Sequence, residues 1–250
     1  MVLVMIGLWF YQNKYKDASI ADVGWAYGLA GAAIYFSLMG AGDNTRRLLL
    51  ALLAGFWGLR LGTYLFISRI IKAKKEDGRY SNLRKIYGNK AKMKFFIFFQ
   101  GQAFFVVIFA IPFLVVVNNP YSGIMILDYL GIIIWVIAIC AEWVADHQLS
   151  RFRSNTENKG HVCREGLWKY SRHPNYFFEW IHWWCYVLLS IGSSYWWMTL
   201  VGPIVMCVLL LKITGIPYTE LQALKSRGEA YRNYQKTTSV FFPWLPKEKA

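Results

Sequence analysis

Several ionisable residues stand in this chain where their neighbours are almost entirely apolar, and their types and spacing suit ligand chemistry. Asp22 sits in "DASIADVGWAYG" (17–28), Arg60 in "GFWGLRLGTYLF" (55–66), and Glu142, Asp146 and Arg153 in "ICAEWVADHQLSRFRSN" (139–155). Arg172, His173, Asn175 and Glu179 sit in "EGLWKYSRHPNYFFEW" (165–180), directly against a run of tryptophan. A charged group at a bilayer centre costs about 2.5–3.5 kcal/mol on insertion scales, so such residues face protein or water and mark sites. Glu142, Asp146, Leu149 and Arg153 follow i, i+4, i+7, i+11 spacing, which puts them on one stripe of a helix. Asn175, Glu179, His182 and Tyr186 form a second stripe behind Pro174, a residue suited to a first helical turn. Arg172 and His173 then stand at a helix entrance, where backbone N–H groups favour an anion. Tyr64 lies one turn beyond Arg60. Acids, amides and arginines of this kind suit a large, anionic, partly polar ligand, and a phosphate-bearing cofactor fits that profile.

Two of these positions keep two readings. Asp22 is either the partner of a buried arginine or a proton donor and substrate contact, with Asp17 before it as a helix cap. Arg60 is either one half of a structural ion pair or a contact to a cofactor phosphate or substrate. The tail "RGEAYRNYQKTTSVFFPW" (227–244) is amphipathic and basic. It reads as an interfacial helix, or as a segment whose Tyr231, Arg232 and Tyr234 close over a ligand.

The elements that must position these residues are membrane helices. Only 17% of the 250 residues are charged, against about a quarter in ordinary globular domains. Long apolar runs alternate with short basic segments, which predicts an all-α, polytopic bundle of about seven transmembrane helices. The candidate spans are 2–12, 20–39, 47–70, 95–117, 125–150, 175–193 and 196–213, the first of them short. Lysine and arginine crowd the loops 71–94 and 151–174 and the tail 214–250, while the opposite loops hold little beyond Arg46 and Arg47. The positive-inside rule then puts the N-terminus outside and the C-terminus in the cytoplasm, in an inner or plasma membrane if the source is bacterial. The net charge of +14 thereby reads as topology and lipid contact, and nucleic acid is not expected as a partner. Cys140, Cys163, Cys185 and Cys207 show no paired spacing, so neither a disulfide scaffold nor a metal site is expected. No cleavable signal peptide, internal repeat or dividing linker is evident, and the chain reads as one integral membrane domain over 1–250. Its cytosol-facing site would be formed by 71–94, 151–174 and 214–250, with membrane lipids around it and a lipid-like small molecule as substrate.

Taken in order, "DASIADVGWAYG", "ADHQLSRFR", "GLWKYSRHPNYFFEW" and "YRNYQKTTSVFFPW" resemble the steroid 5-alpha-reductase-like family of membrane reductases, and nearly the whole chain takes part. The likeness is to its bacterial branch of unassigned substrate. It implies a seven-helix fold that binds NADPH at the cytosolic side and reduces a conjugated carbon–carbon double bond. By that resemblance Arg60, Arg79, Tyr80, Asp146, Arg153, Tyr170, Asn175 and Glu179 would surround the cofactor; Glu142, Arg172, His173 and Tyr231 join them as cofactor-binding candidates from their place in the same polar stretches. Asp22 stands where the family carries a glutamate that polarises the substrate carbonyl. Trp57 stands in the place of its tyrosine, with an N–H donor but no titratable proton, and Tyr27 and Tyr64 are the phenols at hand.

"RHPNY" followed by two spans and a basic tail also resembles isoprenylcysteine and phospholipid methyltransferases, which bind S-adenosylmethionine. Those enzymes carry a pair of acids after the last span, where this chain has Glu220 alone. A third reading is a lipid-binding or transport-like protein without nucleotide binding. The oligomeric state is not legible in the sequence.

Overall fold

The computed structural model describes residues 1–73 and 75–247. Lys74 of the basic loop 71–94 and residues 248–250 of the tail 214–250 lie outside the described residues. Regular structure among the described residues is helical, with one isolated parallel bridge between Ser171 and Ser239. The helices cluster into two compact units.

The first unit comprises Met1–Met125 with Ser190–Val201. It is built on α1 (Val2–Tyr15), α2 (Ile20–Met39), α3 (Asn44–Ile71) and α4 (Gly78–Val117). The core is laid down by Met5, Ala21, Ala26, Phe95 and Phe99, all fully buried. Small residues let α2 and α3 approach closely: a Cβ on Gly58 would lie 2.9 Å from the Ala30 backbone nitrogen, and one on Gly62 would lie 2.8 Å from the Tyr27 ring. Contact at that range gives dispersion and packing in a setting where burial from lipid gives little. Trp25 meets Trp57 and Phe109 edge-on, at ring-centroid distances of 6.2 and 5.8 Å. The far end of α2 is finished by Arg47, whose Nε and Nη2 donate to the Ser37 and Leu38 carbonyls at 2.7 and 2.8 Å. Those carbonyls have no partner within the helix, and a cation there also suits the helix dipole.

The helix α3 is not uniformly α. Ala51–Gly55 and Phe66–Ile71 wind as π turns, a feature that re-aims side chains and recurs at functional sites. Arg69 lies in the second of them.

The second unit comprises Ile126–Leu189 with the chain from Gly202 onward. Its elements are α5 (Ile126–Ser154), α6 (Pro174–His182), α7 (Trp184–Ser190), the later part of α8 (Trp196–Arg227) and α9 (Glu229–Thr237). Pro174 opens α6 in the first turn. A 3-10 turn at Gly166–Lys169 docks on α5, with Trp168 Nε1 donating to the Ala145 carbonyl at 2.8 Å and the Leu167 N–H donating to Gln148 Oε1 at 3.0 Å. Gly228 separates α8 from α9 with φ +52°, a conformation that glycine enters without a Cβ penalty.

Four helices are long and apolar enough to cross a membrane among the described residues: Asn44–Ile71, Gly78–Val117, Ile126–Ser154 and Trp196–Arg227. The sequence pattern expects about seven, and the difference has local causes. α1 has 14 residues, short of the ~20 needed to span a bilayer core. The expected span 175–193 is two pieces of 9 and 7 residues that meet at Trp183. α2 has 20 residues but dilutes its apolar content with Asp22, three glycines and two tyrosines. The basic loop 71–94 is partly ordered, since α4 starts at Gly78 with Asp77 as its N-cap.

Candidate functional site

Polar side chains gather in both units. In the first unit they meet where α2 begins and α3 ends. Asp22 Oδ2 accepts from Arg69 and from Arg79 Nη2, the latter at 2.7 Å, and Asp22 Oδ1 accepts from the Tyr80 hydroxyl at 2.6 Å. The Arg79 guanidinium also lies over the Tyr80 ring, 5.3 Å from its centroid. Around this centre the segment before α4 is clasped to the start of α2. Asp77 N–H donates to Ser19 Oγ at 3.0 Å, and Ala18 N–H donates to Glu76 Oε1 at 2.8 Å. Arg84 reaches both Glu76 oxygens and Gln12 Oε1. Burial alone would raise the Asp77 carboxyl, but the Arg79 guanidinium and amide, helped by Arg69, hold it below the ordinary aspartate range.

This assembly joins residues to which the sequence assigns different roles. Asp22, expected beside the substrate, shares its carboxylate with Arg79 and Tyr80, expected beside the cofactor. Asp22 is thus the partner of buried arginine, the first of its two readings, and the arginines are Arg69 and Arg79. Arg69 is hidden from a sequence reading because its place in a π turn shifts it off the straight-helix stripe. Trp57 is fully buried, and Tyr64 is exposed. The Tyr27 hydroxyl lies 3.0 Å from Thr63 Oγ1. Its ring helps to line an apolar cavity of about 540 Å³ bounded by α1 and α2, with Val4, Leu8, Gly24, Gly28 and Tyr35 among its walls.

The second unit holds a tighter cluster around Glu220. Glu220 Oε1 accepts from Arg172 Nε at 2.6 Å, lies 3.3 Å from His173 Nε2 and accepts from the Tyr231 hydroxyl at 3.4 Å. Its other oxygen accepts from Gln235 Nε2 at 2.7 Å. Arg172 completes its valence on the backbone, with Nη1 donating to the Gln235 and Thr238 carbonyls at 3.0 and 2.7 Å. Burial depresses the His173 pKa, the hydrogen bond and charge of Glu220 opposing it and the Arg172 charge adding to it. Burial and then the Glu220 charge raise the Tyr231 phenol above the tyrosine range. His173 also stacks on Tyr176, with 9° between the rings.

Another group of residues in the same unit is held together across two motifs. Asn175 Nδ2 donates to Asp146 Oδ1 at 2.9 Å, so the stripes on α5 and α6 meet there. Glu179 Oε1 accepts from Trp183 Nε1 at 3.2 Å. Arg153 has Asp146, Tyr176, Cys163 and Arg227 as its electrostatic neighbours. It makes no hydrogen bond or ion pair among the described residues, whereas Arg227 Nε donates to the His161 carbonyl at 2.8 Å. Glu142 lies one turn before Asp146 on α5 and is partly buried. Tyr170 is exposed at its ring and accepts at its carbonyl from Trp244 N–H at 3.0 Å.

Arg227 and the central role of Glu220 are not legible in the sequence. Glu220 stands out there as the one acid in "GIPYTELQAL", but nothing in its spacing links it to Arg172, 48 residues earlier. No metal-holding group of three or more His, Cys, Asp or Glu occurs among the described residues.

The donor set fits a phosphate-bearing cofactor. Two guanidiniums are neighbours, and one of them has no hydrogen-bonding partner among the described residues. Beside them lie an amide and a carboxylate that can meet ribose or amide groups. No curated protein and no solved structure matches the chain. One family model does, over residues 8–238, and it is described as "Protein of unknown function (DUF1295)". A match over that length makes this chain a member of the DUF1295 family.

Proposed function

We propose that this protein is a multi-pass membrane reductase that uses NADPH to reduce a conjugated carbon–carbon double bond in a lipid-like or steroid-like enone. The observation that carries the reading is Arg153, which stands beside Arg227 and the Asp146–Asn175 pair with no hydrogen-bonding or ion-pairing partner of its own among the described residues. A guanidinium left open next to another one is a receptor for phosphate oxygens, and an arginine grips them bidentately. Asn175 is oriented by Asp146, so its amide is fixed before any ligand arrives. NADPH, when bound, supplies the hydride. In the first unit Asp22 is saturated by Arg69, Arg79 and Tyr80, which suits it to organising the cluster. Tyr27 offers a phenol at the wall of an apolar cavity whose volume falls in the range of small-molecule sites.

The reading extends to topology: seven spans in a steroid-reductase-like fold, N-terminus outside and C-terminus cytoplasmic. The methyltransferase alternative draws no support from Glu220, the acid on which it would depend. That carboxylate is occupied by Arg172, His173, Tyr231 and Gln235.

The test is thermal stabilisation of the detergent-purified protein by NADPH, NADH and S-adenosylmethionine. A ligand that binds only the folded state raises the midpoint. NADPH is expected to raise it most, and Arg153→Gln is expected to remove most of that rise while leaving the ligand-free midpoint unchanged. A rise with S-adenosylmethionine alone, or an NADPH response unaltered in Arg153→Gln, would overturn the assignment.

A further inference from the structure

The chain beyond α9 is ordered by its backbone yet presents large apolar side chains outward. The Ser239 carbonyl accepts from Arg172 N–H at 2.9 Å, and the Phe241 carbonyl accepts from Ser171 Oγ at 2.8 Å. Trp244 N–H donates to the Tyr170 carbonyl at 3.0 Å, and Lys247 N–H donates to the Thr237 carbonyl at 2.8 Å. Phe241 points inward and is 1% exposed, while Phe242, Trp244 and Leu245 are 56%, 74% and 73% exposed. Phe242 still touches the entrance of α6, with ring centroids 5.9 Å from Phe177 and 5.7 Å from Trp180. The apolar patch is therefore held in place and continuous with the start of an aromatic helix.

We infer that segment 240–247 is a membrane-contact surface, and that its occupant is the headgroup region of an anionic bilayer. Three features select that partner over another protein. Tryptophan settles at headgroup depth, and Trp, Phe and Leu together make the apolar face of segments that lie in the interface. Pro243 and Pro246 flank Trp244 and Leu245; neither carries an N–H that would go unsatisfied away from water. The charge is complementary: between 225 and 247 the sequence has five lysines and arginines (Lys225, Arg227, Arg232, Lys236, Lys247) and one acid, Glu229. Basic residues next to an interfacial apolar patch draw anionic lipid to it.

The experiment places the full-length protein in vesicles of phosphatidylcholine with phosphatidylglycerol, part of the phosphatidylcholine being brominated high in its acyl chains. Trp244 emission is isolated as the difference between the native protein and Trp244→Phe. It should fall by about twofold or more with the brominated lipid and resist aqueous iodide, as an interfacial tryptophan does. Quenching by iodide and not by the brominated lipid would overturn the inference and point to an aqueous or protein-facing surface. Moving the reporter with Leu245→Trp in the Trp244→Phe background repeats the reading one residue on. Vesicles without phosphatidylglycerol should weaken the lipid quenching, and so should Lys236→Gln with Lys247→Gln. Unchanged quenching in both would overturn the anionic preference. No nucleotide enters these measurements, so they stand or fall separately from the reductase reading.

Discussion

A single carboxylate, Glu220, gathers a guanidinium, an imidazole, a phenol and an amide. Removing one member of a buried ion pair strands the other, which costs about 3 kcal/mol or more. Glu220→Ala should accordingly lower the thermal midpoint well beyond Tyr231→Phe, which deletes one hydrogen bond of about 1 kcal/mol. Equal shifts in the two variants would show that Arg172 is satisfied by its carbonyl partners alone. His173 adds a pH dependence of definite sign. Its pKa is held below the ordinary 6.5 chiefly by burial, so the folded state favours the neutral ring. That contribution is complete above pH 6.5 and is lost as pH falls through 6.5 toward the lowered value. Melting curves should show a midpoint declining on the acid side of the ordinary histidine pKa, and His173→Gln should flatten the decline. At this scale the sequence is most informative where a polar residue belongs to a stripe at helical spacing. Asp146 and Asn175 lie on stripes that spacing reveals, and they do meet. Arg69 with Asp22, and Glu220 with Arg172, pair across 47 and 48 residues. Such pairings depend on how helices cross, and no local period encodes them.

Among the elements, the α2–α3 contact is an exacting one. Gly58 faces the backbone of Ala30, which cannot rotate away. Gly58→Ala should therefore lower stability by about 1–3 kcal/mol, as overpacking does. At Gly101 in α4 a Cβ would meet nothing within 4 Å, and Gly101→Ala should be neutral or gain up to about 1 kcal/mol from helix propensity. Comparing the two midpoints separates close packing from propensity. Apolar runs in the sequence identify these helices but misjudge their continuity. The interruption at Trp183 carries no proline or glycine, and aromatic and aliphatic residues continue across it. π turns are equally silent, because a wider turn changes no residue type. The amphipathic tail is legible as α9, since Tyr231 and Tyr234 recur at helical spacing and both are buried.

At the scale of the molecule, the distribution of lysine and arginine makes a claim that can be checked without any ligand. Placed in a bacterial inner membrane, a reporter fused after residue 250 should be active on the cytoplasmic side, and a thiol introduced at Ala41, exposed in the loop after α2, should react with an impermeant reagent from outside. The reverse pattern would overturn the cytosolic placement proposed for the Arg153 group and, with it, the proposed use of NADPH. The first unit closes almost entirely within residues 1–125, whereas the second draws on segments at both ends of its stretch. Arg172 illustrates what that arrangement means during synthesis. Its carboxylate partner lies 48 residues downstream, and its carbonyl partners 63 and 66 residues downstream. At 5–20 residues per second, translation needs about 3–13 s to deliver residue 235 after residue 172. Throughout that interval the guanidinium must be kept hydrated or lent a temporary partner by the insertion machinery.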